Sequence, residues 1–130
     1  MYRNTLTTIT AIFSLTINLV FTQVVINEIH YNPGSAQGSD SDFEFLELYN
    51  PGTTDIDISG YSFTQGINHV FADGTTLAAG GYIVLTINSD SYTGSIEWGS
   101  GALSNGGEDV TIIDVAGAVV DSVDYEDGTN

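Results

Sequence analysis

Seventeen carboxylates and two histidines carry most of the chemistry this chain can offer, because it has no cysteine and one basic residue, Arg3. Acid–base and metal chemistry must therefore be sought among Asp and Glu. In a regular strand Val24, Ile26, Glu28 and His30 share one face, which draws Glu28 toward an apolar layer. An ionised carboxylate there needs hydrogen bonds, and backbone amides of a neighbouring loop or His30 would supply them. Glu28 is expected to be an internal tether of the first strand, with nothing beside it to act on a substrate. Glu44 and Glu47 are the residue type used in pairs for glycoside cleavage. Three positions apart along a strand they face opposite sides, so they cannot work on one bond.

Asp40, Asp42 and Glu44 alternate at the end of a loop rich in Gly, Ser and Asp, residues 34–42. Calcium takes about six to eight oxygens, which such a loop can supply. The three are a candidate calcium site, set against a plain solvated loop, and the Asp-x-Asp-x-Asp-Gly pattern is absent. His30 and His69 have no cysteine companions and no metal spacing, which argues against zinc. Ser104-Asn105-Gly106-Gly107 leads into a strand without a helix or a lysine, so it reads as a turn and not a phosphate cradle. Trp98 and the tyrosines at 31, 49, 61, 82, 92 and 125 could offer a sugar-stacking face; in a β protein such rings are expected mainly in the core. No serine or threonine has a visible base and orienter, so nucleophilic hydrolysis has no support. The chain is expected not to be an enzyme.

These residues sit in a pattern of short strands. β-branched and aromatic runs at 24–30, 43–50, 56–64, 68–71, 82–88, 95–98, 109–114 and 119–125 are cut by Gly, Asn, Pro and Asp at intervals of about eight to twelve residues. No stretch keeps helical spacing. In 82–88, Ile83, Leu85 and Ile87 share a face; in 109–114, Val110 and Ile112 oppose Thr111 and Ile113, so both faces there are expected to be partly covered. Asn50-Pro51-Gly52, Asp73-Gly74, Gly80-Gly81 and the 114–118 segment around Gly117 are turn chemistry. The expected fold is all-β, two packed antiparallel sheets, with a closed barrel as the competing arrangement.

The first 22 residues are of another kind. Arg3 and an uncharged apolar stretch from Leu6 to Phe21 make a short positive region and a hydrophobic region, too polar to span a membrane. Residues 1–22 are expected to be a cleaved export signal, cut near Thr22–Gln23. That leaves 108 residues, 23–130, for one domain without Lys or Arg. Such a surface repels phosphates and anionic lipid headgroups, which excludes nucleic acid and membrane binding as expected partners. A chain of this length can hold a core without disulfide staples, so lack of cysteine is no argument against export.

Read in order, the segments also resemble a known family. Ile26-Asn27-Glu28-Ile29-His30-Tyr31-Asn32-Pro33 and Glu44-Phe45-Leu46-Glu47-Leu48-Tyr49-Asn50-Pro51 look like the opening pair of motifs in bacterial lamin-tail domains. Ile58-Ser59-Gly60-Tyr61, Phe71-Ala72-Asp73-Gly74-Thr75, Leu77-Ala78-Ala79-Gly80-Gly81-Tyr82-Ile83-Val84-Leu85, Leu103-Ser104-Asn105-Gly106-Gly107-Glu108-Asp109-Val110 and Val119-Val120-Asp121-Ser122-Val123-Asp124-Tyr125 continue the series. The resemblance implies an immunoglobulin-like β-sandwich, an accessory module of secreted or surface proteins with no catalytic residues of its own. It makes Asn27, Glu28, Glu44, Glu47, Asn50, Gly60, Gly80 and Gly81 the structural motif positions. Family members usually continue into a tryptophan-containing loop and one more strand, so the sandwich is expected to be incomplete at its C-terminal end and part of a longer multidomain chain.

The expected function is a non-catalytic binding or structural module of an exported or cell-surface bacterial protein, adhering to a protein or glycan or positioning a neighbouring domain, without a cofactor unless calcium is bound. The alternative is an N-terminal accessory domain of a secreted hydrolase, of nuclease or phosphatase type, with its catalytic part beyond Asn130.

Overall fold

The structure, a computed structural model, describes residues 23–126. The expected export signal and the expectation about the C-terminal end fall on residues 1–22 and 127–130, outside the described residues. Eleven strands follow in order: β1 (Val25–His30), β2 (Phe45–Tyr49), β3 (Ile56–Asp57), β4 (Ser62–Gln65), β5 (Ile67–Val70), β6 (Thr76–Leu77), β7 (Tyr82–Thr86), β8 (Ile96–Glu97), β9 (Ser100–Gly101), β10 (Gly107–Ile113) and β11 (Val119–Glu126). One helical turn, α1 (Asp40–Phe43), closes the loop before β2, and a 3-10 turn, Ser89–Ser91, follows β7.

The strands form two main sheets, ordered β1-β2-β7-β8 and β11-β10-β4-β5-β9, with a small β3-β6 pair. This is the expected sandwich. All pairings are antiparallel except β7 with β8. Period-two alternation builds the core: Leu46, Leu48 and Leu85 of the first sheet and Phe63, Ile67, Val110 and Ile112 of the second are all buried. Ile58, Phe71, Leu77, Trp98 and Leu103 join the same cluster from connecting segments and short strands.

The 56–64 run is two strands and not one. Ile58 accepts a hydrogen bond from the N–H of Tyr61 (3.0 Å), and Gly60 sits at φ 73°. Positive φ at the third position of a turn is disfavoured for any residue with a Cβ, which is the reason for glycine there. The chain turns at that point, and β4 joins β10 instead of continuing β3. Gly80 fills the same position (φ 63°) in the turn closed by the N–H of Gly81 donating to Ala78. The two-residue strands β6 and β9 carry no alternation to detect, and the sequence pattern misses them.

Asn50 locks these turns together from a fully buried position. Its side-chain amide donates to the carbonyls of Thr54 (2.8 Å) and Leu77 (3.1 Å), and its Oδ1 accepts from the N–H of Gly52 (2.9 Å). Its backbone N–H donates to Gly81 and its carbonyl accepts from Gly80. One residue thus joins the end of β2, through its side chain, to the turn at 51–54 and to Leu77 and, through its backbone, to the turn at 78–81.

The sheets meet along one edge where β1 lies beside β11. The N–H of Ile26 donates to a carboxylate oxygen of Asp121 (2.7 Å), and the Tyr31 ring packs on Tyr125 with centroids 4.6 Å apart. Leu48→Ala should lower unfolding free energy by about 2–5 kcal/mol, because a buried Leu leaves a cavity. Val115→Ala, on an exposed turn, should stay within about 0.5 kcal/mol. Denaturant melts of both variants check the contrast.

Candidate functional site

Parity along β2 decides where its carboxylates go. Glu44 shares a side with Leu46 and Leu48, and it is buried, only 2 % exposed. Its carboxylate accepts the backbone N–H of Leu103 (2.9 Å), tying the loop before β10 to the core. Burial pushes its pKa up; the Leu103 hydrogen bond opposes this, while the charges of Asp40 and Glu108 add to the rise. Nearby, Glu108 accepts the N–H of Ser104 (2.7 Å) and the hydroxyl of Tyr125 (3.0 Å), and Tyr125 is held far above the ordinary phenol range, chiefly by burial. The internal carboxylate tether is therefore Glu44, and Glu47 faces the other way, as the spacing requires.

The calcium expectation is corrected by the same geometry. Glu44 points inward and is engaged by Leu103. On α1, Asp40 accepts from the amide of Asn105 (2.7 Å), and Asp42 accepts from the hydroxyl of Ser39 (2.8 Å). Alternation in the sequence does not bring the three together, because a helical turn places Asp40 and Asp42 and the strand begins after Glu44. Among the described residues no group of three or more His, Asp or Glu could hold a metal ion.

The expectation for Glu28 is also corrected. A β-bulge falls between Ile26 and Glu28, so that Asn27 is an extra residue opposite β2 and Glu28 pairs with Glu47. One added residue exchanges the faces of everything after it. Ile29 turns to the core, and Glu28 is exposed. His30 turns outward and stacks on Phe45 at 4.9 Å between centroids. Asn27 donates its amide to Glu47 (2.7 Å) on the same outer surface.

That surface holds a groove of about 500 Å³, lined by Glu28, Glu47, Phe45, Tyr82, Tyr92 and Ile96 among others. The connection from β7 to β8 crosses over it. Tyr92 anchors the crossing: its hydroxyl donates to the Phe43 carbonyl (2.9 Å) and accepts from Gln37 (2.9 Å), and its ring meets Phe45 edge-on at 5.2 Å. At the other end Tyr82, 55 % exposed, stacks on Tyr49 at 4.6 Å. The expectation that aromatic residues belong to the core holds for Trp98, which is buried, and for Tyr31, Tyr61 and Tyr125, which pack against the core cluster. Tyr49, Tyr82 and Tyr92 depart from it, since they line or border the outer surface. On the opposite sheet a second depression lies beside His69, whose pKa burial lowers, and Glu97, which already accepts the N–H and hydroxyl of Ser89.

Two stacked sheets with carboxylates spent on loop amides and an aromatic groove on one outer face define an immunoglobulin-like module of structural and binding type. The family model of the lamin tail domain matches residues 20–127. The chain belongs to that family. No curated protein matches it.

Glu44 and His69 set opposing pH dependences. A carboxylate raised in the folded state takes up its proton before the unfolded chain does, so its contribution improves as pH falls through that raised value. His69, depressed, costs stability as pH falls below its ordinary value of 6.5. Wild type compared with Glu44→Gln isolates the first effect: wild type should gain relative to the variant as pH falls from 7 toward the ordinary Glu value of 4.5. Glu44→Ala should cost about 1–3 kcal/mol by leaving the Leu103 N–H without its partner. Denaturant melts across that pH range measure both.

Proposed function

We propose that the chain is a non-catalytic binding and positioning module of an exported or cell-surface bacterial protein, engaging a protein or glycan through the outer face of the β1-β2-β7-β8 sheet. The observation that carries this is the groove: a concave surface that joins three aromatic rings, Tyr82 exposed among them, to two carboxylates on the outer face of the sheet. Binding sites are typically concave, largely apolar and furnished with a few placed polar groups. Export is supported by the charge and hydropathy of residues 1–22, and the bacterial setting by the run of family motifs through the chain.

The purified chain, applied to immobilised polypeptides and glycans, should bind saturably. Tyr82→Ala should weaken that binding by about tenfold, as expected for loss of an exposed aromatic anchor. Undiminished binding by Tyr82→Ala would remove the groove from the function, and turnover of any substrate by the pure chain would overturn the non-catalytic reading.

A further inference from the structure

We infer that the groove is a docking site for a partner polypeptide that presents Arg or Lys side chains; the inference rests on the binding-module reading and specifies the chemistry of its ligand. The argument begins with the bulge. By turning Glu28 outward it sets two carboxylates, Glu28 and Glu47, directly across from each other in the register of β1 and β2. Like charges so placed destabilise a sheet. Asn27 donates to one oxygen of Glu47 (2.7 Å), which leaves the repulsion in place because the amide is neutral. No Lys or Arg of the described chain can relieve it, since residues 23–126 include neither.

Charge alone makes no site, and the chain itself supplies the contrast. Asp109 and Asp124 also face each other, on β10 and β11. They are exposed and line neither of the two concavities described above. Around Glu28 and Glu47, in contrast, Phe45, Tyr82 and Tyr92 build walls. Aromatic faces attract guanidinium and ammonium groups, best when water is partly excluded. The carboxylates can take a guanidinium in forked hydrogen bonds. The volume of about 500 Å³ exceeds what one bare ion needs and admits a long side chain with flanking backbone. A neutral sugar would use the rings and the hydrogen-bonding oxygens, but it would leave the paired charges uncompensated. A cationic side chain engages all of these groups together.

The test titrates the full chain with a hexa-arginine peptide and, separately, with a neutral cellohexaose, following amide shifts of Glu28, Glu47 and Tyr82 by NMR and affinity by calorimetry. The peptide should bind saturably with shifts concentrated at the groove, and the affinity should fall as salt screens the contact. The double variant Glu28→Gln/Glu47→Gln should weaken binding by at least about tenfold. Asp109→Asn/Asp124→Asn removes the same charge elsewhere and should change it by less than about twofold. Neutralising either pair removes a like-charge opposition and keeps the side chain's size, so both variants should stay folded, which thermal melts check. Equal losses in the two double variants would show diffuse attraction to an acidic protein and overturn the proposal. Cellohexaose shifting the groove resonances while the peptide does not would also overturn it, yet would keep the groove as a binding site. If neither probe moves the groove and Tyr82→Ala leaves array binding unchanged, both readings fall.

Discussion

A chain whose described residues contain neither lysine nor arginine can satisfy a carboxylate only with N–H and O–H groups, and that constraint organises the structure. Glu44 takes the N–H of Leu103, Glu108 that of Ser104, Asp55 that of Ala79, Asp57 that of Ser59, and Asp121 that of Ile26. Asp114 takes two, from Ala116 and Ala118, across the last hairpin. In each case an acidic side chain closes or anchors a segment of backbone whose donors would otherwise need water or a strand partner. The acidity is thus in large part a scaffold of contacts to backbone, buried at Glu44 and nearer the surface elsewhere. It works without ion pairs, so its strength depends on amide geometry more than on salt.

This use of carboxylates explains why so few remain for ligands. Most of the acidic residues that sequence reasoning singles out are committed to the fold: Glu44 to a buried amide, Asp40 and Asp42 to neighbouring polar side chains. Glu28 differs because a single inserted residue turned it out of the sheet. The same insertion carried His30 onto Phe45, a residue of the groove wall. One local irregularity in β1 thus sets the acidic pair of the groove.

Strand runs and turns were legible in the sequence because β-branched alternation and glycine at positive φ are local properties. The parity of Glu44 and Glu47 was legible for the same reason, and Glu44 falling in step with Leu46 and Leu48 already marks it as the inward member. What failed was counting across a bulge. The apolar spacing from Ile26 to Ile29 is three, not two, and that was the available sign that one residue of β1 had slipped. The groove was not legible at all. It depends on the segment between β7 and β8 crossing the sheet, and the hydrogen bonds of Tyr92 that hold it there join residues far apart in the chain.

The contact between β1 and β11 has a mechanical meaning. From Ile26 to Tyr31, and from Asp121 to Glu126, the partners advance in the same direction, so these two strands run side by side with the same polarity. Tension applied at residues 23 and 126 would therefore pull along them in opposite senses and load their shared contacts in shear. Contacts loaded this way resist together instead of peeling one after another. Rupture under load is governed by the height of the unfolding barrier and not by the equilibrium between folded and unfolded chain, and this pairing of first strand with last puts that barrier on the line of force.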